Sequence, residues 1–283
     1  SKEQNKEIQA ECGKKPPSNR MFNGDSFKIE DWPWPVFLAY EDNSHGIMVD
    51  CTGVLISRRH IITARHCFLD SFVHVSRPTI VLYGGVSWNS APETFKQVGI
   101  RRKIYPVLHD ESNDVAIGEL EHEIEGNSMR FVCLPKEKDF VDDDFEKVAT
   151  FFGGGKGEFK RKPGERLLSL TYNLTDPDVV VVPDYFELQF QMAYRTREAH
   201  GYAARGDSGG PLLRQRPSDD RYVLYGVLHG GNESCYECYN GWEIYTRMRY
   251  FVNDVCRITG ICADAMNEED LSELEIDGSR LCN

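Results

Sequence analysis

The 283-residue sequence contains no apolar run near the ~20 residues that a membrane-spanning helix needs, so nothing in it reads as a helical span. No long segment before Tyr245 repeats its apolar residues every 3.6 positions, which argues against alternating strands and long helices. Basic charge is in short supply. The 33 Lys and Arg face 45 Asp and Glu, a formal charge of −12, so a broad cationic face for nucleic acid is not expected. Half of that excess lies in the tail, where seven acids and one base follow Ala263. The glycine-rich run Gly153-Gly154-Gly155-Lys156-Gly157 lacks the Gly-Lys-Ser/Thr ending and following helix of a phosphate loop, and reads as a flexible loop. No second Cys-x-x-Cys accompanies Cys235-Tyr236-Glu237-Cys238, which disfavours redox and zinc roles for that pair. The chain also begins at Ser1, without Met or a leader-like stretch. Removal of a secretory leader accounts for that, as does trimming.

What is present points to an oxidising compartment. Nine cysteines suit disulfide formation outside the cytosol, and their odd number leaves one thiol free or paired outside the chain. Asn173-Leu174-Thr175 and Asn232-Glu233-Ser234 are acceptor patterns for N-glycosylation, compatible with secretion. Short segments rich in β-branched and aromatic residues recur about every ten positions, with turn residues between them. Strands are expected at 37–40, 49–56, 80–83, 96–104, 115–120, 148–152, 167–172, 179–182, 186–192, 211–214 and 222–229. Ser57-Arg58-Arg59-His60 reads as a turn. Residues 1–20 are polar, with Lys14-Lys15-Pro16-Pro17 as an extended linker. A helix is expected over 247–258, where Phe251, Val252, Val255 and Ile258 share a face and Gly260 provides the stop. The fold class is therefore all-β, a barrel or sandwich, with a helix near its end.

The chain is organised around Gly206-Asp207-Ser208-Gly209-Gly210-Pro211. A serine between glycines on a tight turn exposes both a hydroxyl nucleophile and outward-pointing backbone N–H donors. Acyl transfer needs both, one to attack a carbonyl and the others to hold the oxyanion that forms. Far upstream lies Ile61-Ile62-Thr63-Ala64-Arg65-His66-Cys67, and between them Asn113-Asp114-Val115-Ala116-Ile117. Of the eight histidines, only His66 occupies a Thr-Ala-x-His-Cys setting. Asp110 competes with Asp114, but only Asp114 is followed by the apolar residues that would bury a carboxylate.

Histidine, aspartate and serine in that order resemble the chymotrypsin-like (trypsin-like) serine peptidases, from about Cys12 to Ile258. The resemblance implies two six-stranded antiparallel β-barrels with a C-terminal helix. Residues 1–20 would be a propeptide or light chain, 21–262 the peptidase domain with its barrel boundary near 133–143, and 263–283 an acidic tail. It implies Ser208 as nucleophile, His66 as general base and acid, and Asp114 as the group holding the imidazole's tautomer. The Gly206 and Ser208 N–H groups would form the oxyanion hole. Cleavage after Arg20 would free Met21, in place of the family's usual Ile, to pair its new amino group with Asp207.

Other positions depart from the family pattern. Tyr202 stands where trypsin relatives carry a pocket-floor Asp, and Glu243 where a glycine lines the pocket wall. A carboxylate at 243 leaves two outcomes open: attraction of a basic substrate side chain, or pairing with the Tyr202 hydroxyl to fill the pocket. His229-Gly230-Gly231 replaces Ser-Trp-Gly, placing His229 where a serine hydroxyl contacts the aspartate and altering the pH profile. Gly231 keeps backbone free for an extended peptide. By resemblance, Cys51 pairs with Cys67 and Cys12 with Cys133. Lys147 and Arg214 occupy the positions of an absent bridge, and the pairing of Cys235, Cys238, Cys256, Cys262 and Cys282 stays open. Tyr83-Gly84-Gly85 lacks the carboxylates that bind calcium in some relatives, so no metal or other cofactor is expected. The implied protein is a secreted, monomeric serine endopeptidase made as a zymogen. Its partners would be protein or peptide substrates, an activating protease and a protease inhibitor, with no nucleic acid. The alternative is a catalytically silent relative that acts as a binding or regulatory module.

Overall fold

The computed structural model describes residues 2–14, 33–44, 46–69, 78–84, 95–106, 114–126, 130–136, 139, 148–154, 168–173, 179–181, 191–196, 203, 206–231 and 241–264. Its first element is a helix, α1 (Lys2–Glu11), in the polar stretch ahead of Lys14, where no element was expected. The difference has a tertiary cause. Ile8 is buried, and Cys12 is bridged to Cys133. Arg221 meets the open end of the helix by donating from Nη2 to the Ala10 carbonyl at 3.1 Å, and from Nη1 to the carbonyls of Gln9 and Cys12. A guanidinium at the negative end of the helix dipole satisfies carbonyls that have no partner within the helix.

Six strands close the first barrel: β1 (Pro35–Asp42), β2 (Gly46–Leu55), β3 (His60–Thr63), β4 (Ile80–Tyr83), β5 (Lys96–Ile104) and β6 (Ala116–Leu120). They pair antiparallel in the order β1-β2-β3-β6-β5-β4. Consecutive residues such as Phe37 and Leu38, Val54 and Leu55, and Ile61 and Ile62 are all fully or almost fully buried, so the strands are covered on both faces there; Val81 and Ile117 are fully buried too. Full closure removes the unpaired edges that an open sheet would expose.

The second unit contains β7 (Val148–Gly153), β8 (Leu168–Asn173), β9 (Val179–Val181), β10 (Gln191–Thr196), β11 (Pro211–Arg216), β12 (Arg221–Gly231) and β13 (Gly241–Arg247). The described strands form a seven-stranded sheet in the order β8-β7-β11-β12-β13-β10-β9. Of the strand expected over 186–192, residues 191 and 192 fall in β10 and the rest lie outside the described residues; the strand at 241–247 was not anticipated. A single 3-10 turn (Met248–Tyr250) leads into α2 (Val252–Thr259), which Gly260 ends in the left-handed conformation.

The two units meet along backbone as well as side chains. Cys133 donates its N–H to the Tyr222 carbonyl at 3.1 Å and accepts from Leu224 N–H at 2.9 Å, which laces the segment between the barrels onto β12. Asp139, on the same connection, forms a bidentate pair with Arg216 at the end of β11, with bonds of 2.9 and 2.8 Å. Both side chains are buried. The 51–67 and 12–133 bridges form as the resemblance implied, and Cys256 is bridged to Cys262. No helix among the described residues is long and apolar enough to cross a membrane.

Candidate active site

The site assembles where three strand ends converge. β3 runs through Ile61 and Ile62, both fully buried, and stops at Thr63. The chain then tightens into a 3-10 turn over Arg65–Cys67, fastened from behind by the Cys51–Cys67 bridge. This puts His66 on a rigid corner. Asp114 stands immediately before β6, whose Ala116 pairs with Thr63, so the β3–β6 register sets its approach to His66. Asp114 Oδ1 accepts the His66 backbone N–H at 2.8 Å, and Oδ2 lies 2.6 Å from His66 Nδ1. A carboxylate only accepts, so Nδ1 carries the proton and Nε2 presents the lone pair.

Ser208 arrives from the second unit on the turn that precedes β11. Its carbonyl accepts the Thr52 N–H at 2.8 Å and lies 3.7 Å from Cys67 Sγ, one residue from His66. Thr52 also donates its hydroxyl to the Gly206 carbonyl at 2.9 Å and accepts Gly154 N–H at 3.1 Å. Its own carbonyl takes the Thr63 hydroxyl at 2.7 Å. The serine turn is thus bolted to the barrel that carries His66 by groups on β2 and β3.

The turn requires its glycines. Gly206 and Gly209 have φ of 100° and 81°, in the region L side chains avoid. A Cβ at 209 would also overlap the Thr63 hydroxyl and the Thr52 carbonyl and come within 2.8 Å of Ala64 N. Gly153, at the end of β7, lies directly against the Asp207 carboxylate, with no room for a Cβ. Asp207 is buried, at the base of the same turn.

A second imidazole reaches Asp114. Along β12, Leu228 pairs with Tyr245 and Gly230 with Ile244, so His229 is the extra residue of a bulge. Bulges turn a side chain out of its normal alternation. Here His229 Nδ1 lies 2.6 Å from Asp114 Oδ2, the same oxygen that His66 contacts. The two rings stand edge to face, with centroids 5.9 Å apart and planes at 89°. Burial alone would raise the Asp114 pKa. The His229 and His66 hydrogen bonds and their positive charge outweigh it and hold the group well below the ordinary carboxylate range. The same bond raises His229 above its ordinary 6.5, against the opposing effect of burial.

The three ligand-capable atoms of His66, Asp114 and His229 lie within 4.8 Å of one another. The two nitrogens touch the shared oxygen at hydrogen-bond distance, 2.6 Å. Neighbouring donors around a tetrahedral zinc would stand roughly 3.3 Å apart. The arrangement is a hydrogen-bonded cluster closed on itself. Cys51 and Cys67 offer no thiolate, since they are bridged to each other.

Glu243 is buried on β13, its carboxylate accepting Ala203 N–H and, at 2.7 Å, the Tyr245 hydroxyl. It pairs in register with Gly231, at the exposed end of β12. Of the other expected site residues, Arg20, Met21, Tyr202 and Asn232 lie outside the described residues, as does the side chain of Asn173. Cys235, Cys238, Cys282 and the tail beyond Asp264 do as well. Sequence reasoning missed Thr52 and Thr63, since buried threonines on strands carry no motif. It missed Gly153 as a site residue too, because the approach of Asp207 exists only in three dimensions.

Comparison with known proteins agrees with this arrangement. The family model described as Trypsin matches residues 21–255. The chain is 28% identical over 267 residues to the atrial natriuretic peptide-converting enzyme of Homo sapiens, an alignment covering 87% of this chain and 23% of that protein. It is 26% identical over 258 residues to the CLIP domain-containing serine protease HP8 of Bombyx mori, covering 83% of this chain and 68% of the relative. With serine protease filzig of Drosophila melanogaster it shares 29% identity over 271 residues, 89% of this chain and 15% of that protein. The chain therefore spans less than a quarter of the human and fly relatives. A barrel closed behind a histidine–aspartate pair, a glycine-bounded serine turn bolted to it and a family match over most of the length lead to one assignment: the chain belongs to the trypsin family, the chymotrypsin-like serine peptidases.

Proposed function

We propose that this protein is a secreted serine endopeptidase that hydrolyses peptide bonds through an acyl-enzyme, with Ser208, His66 and Asp114 as its triad. The observation that carries the reading is the His66–Asp114 pair. Asp114 fixes the imidazole through both Nδ1 and the backbone N–H, leaving Nε2 as the base. In this mechanism Nε2 takes the serine proton as Oγ attacks the carbonyl carbon, then returns it to the leaving amine. Water repeats the sequence to release the acid. The N–H groups of Gly206 and Ser208 receive the oxyanion, on a turn braced by Thr52.

The protein is made as a zymogen. Cleavage after Arg20 frees Met21, whose amino group pairs with Asp207 and orders the turn. Residues 1–20 stay attached through Cys12–Cys133. Tyr202, Glu243, His229 and Gly231 border the substrate. With both Glu243 oxygens already accepting hydrogen bonds, the carboxylate acts more as a wall than as an open charge for Lys or Arg. It acts as a monomer, and Asn173 and Asn232 carry glycans.

The test is a fluorophosphonate probe on protein cleaved after Arg20, with turnover of a peptide library. Labelling at Ser208, and turnover abolished by Ser208→Ala, are the expected results. Folded, cleaved protein that neither labels nor turns over any peptide would leave the silent binding module as the reading.

A further inference from the structure

We propose that His229 is a positioning residue that shares Asp114 with His66, and that it must be uncharged for His66 to act as a base. Peptidase activity would then require the loss of two protons on its acid side instead of one. This rests on the peptidase reading above. Its physical basis is the single oxygen on which both rings converge, Asp114 Oδ2, at 2.6 Å from each Nδ1.

The carboxylate has only acceptors to offer, so both Nδ1 atoms carry protons. In its neutral form His229 is one more N–H donor, and Asp114 keeps its full negative charge for the imidazolium that forms on His66 during attack. A further proton can enter His229 only at Nε2, and the ring is half-exposed. Its bond to Oδ2, until then assisted by the carboxylate's charge alone, becomes an ion pair and draws on the same charge. Transfer of the Ser208 proton would now create a second cation with ring centroids 5.9 Å apart, two positive rings on one carboxylate. That step is disfavoured while His229 is charged. The hydrogen bond to Asp114 raises the His229 pKa above its ordinary 6.5, so the charged ring persists to higher pH than an isolated imidazolium would.

Asp114 and His66 are the ionisable groups that face His229 among the described residues. Glu243, on the adjoining β13, directs its carboxylate to Ala203 N–H and the Tyr245 hydroxyl. The bulge is what turns His229 to this position: between the Leu228–Tyr245 and Gly230–Ile244 pairs it has no partner on β13, whereas regular pairing would seat it in the ladder with the normal alternation. One consequence is a peptidase kept silent in acidic surroundings and released steeply as pH rises.

The experiment compares pH profiles of kcat/KM for processed protein and for His229→Asn, whose side-chain amide keeps a donor near the Nδ1 position but does not titrate. The acid limb of the unaltered protein should rise with a logarithmic slope of about 2, and that of His229→Asn with a slope of about 1. Each normalised to its own alkaline plateau, His229→Asn should be roughly tenfold or more the more active at the foot of the limb. Equal slopes of about 1 in both would overturn the proposal. A readout independent of turnover is the proton NMR spectrum. Two strongly downfield ring protons are expected in the unaltered protein, one of them lost in His229→Asn. If both protons are seen but no form cleaves peptide, the peptidase reading fails and takes the proposal with it. If peptide is cleaved but only one such proton is present in the unaltered protein, the shared carboxylate is wrong and the peptidase reading stands.

Discussion

Thr52 Oγ1 donates to the Gly206 carbonyl at 2.9 Å, so a strand of the first barrel holds the serine turn of the second unit directly. The same hydroxyl accepts Gly154 N–H at 3.1 Å. Replacing it by an isosteric methyl in Thr52→Val strips both buried groups of their partner, at a cost of about 1–3 kcal/mol. In the proposed mechanism the turn carries the oxyanion donors, so kcat should fall more than KM changes. Denaturant midpoints and steady-state kinetics read the two effects, and Thr52→Ser should restore most of both. A Thr52→Val protein with unchanged kcat would show that the brace does not matter to the turn.

Gly153 makes a second prediction. The Asp207 carboxylate lies where a Cβ at 153 would be, so Gly153→Ala must displace either Asp207 or the end of β7. Asp207 anchors the turn before Ser208, and its movement should disorder the N–H donors. Loss of one such donor lowers kcat by about 10²–10³, and Gly153→Ala should approach that. Melting temperature should fall much less than activity does. An active variant would mean that Asp207 can relocate without disturbing the turn.

The motifs around His66, Asp114 and Ser208 that carry the family resemblance, the barrel and the helix stop at Gly260 were legible in the sequence because each rests on local chemistry. A serine between glycines, a histidine beside a cysteine, and short apolar or β-branched strands such as Ile80–Tyr83 all declare themselves over a few residues. What stayed hidden depends on distant partners. Helix α1 is held by Arg221 and Cys133, more than 100 residues away, so its polar sequence announced no element. Strand β13 contains Glu243, a charge no buried strand would ordinarily carry. It is tolerated only because Ala203 N–H and the Tyr245 hydroxyl satisfy it. The contact of His229 with Asp114 was expected from the resemblance. That it would fall on the same oxygen as His66 follows from the bulge, which no local pattern announces.

The Asp139–Arg216 pair ties the connection between the two units to the end of β11, with the guanidinium and carboxylate both desolvated. Burial lowers the Arg216 pKa, and the hydrogen bonds and charges of Asp139 and, after it, Asp219 more than reverse this, so the net shift is upward and the arginine remains charged. Asp139→Asn leaves the buried guanidinium with Asp219, 2.9 Å from Nη1 and part-exposed, as its remaining counter-charge, and should cost about 1–3 kcal/mol, seen as a lower denaturant midpoint. The paired change Asp139→Leu with Arg216→Met removes both charges and should recover much of that loss. If the single and double variants were equally unstable, packing rather than charge would hold this junction.

Stability should also depend on pH through the shared carboxylate, in a direction that differs from activity. His229 titrates higher in the folded protein than its ordinary 6.5, so its contribution is fully present below 6.5 and is lost as pH rises through the folded value. Asp114 is shifted the other way. Its contribution is present above 3.8 and lost as pH falls through its depressed folded value. The stabilising effect of His229 over Asn at that position should therefore be largest between those two ordinary values and fade above 6.5. Melting temperatures of the two proteins across that range should converge on the alkaline side, where His229 is neutral and each residue offers Asp114 an uncharged donor. A gap that held constant from acid to alkali would mean that His229 stabilises by packing alone. The protein would then not be at its most stable in the range where the protonated ring holds the site silent.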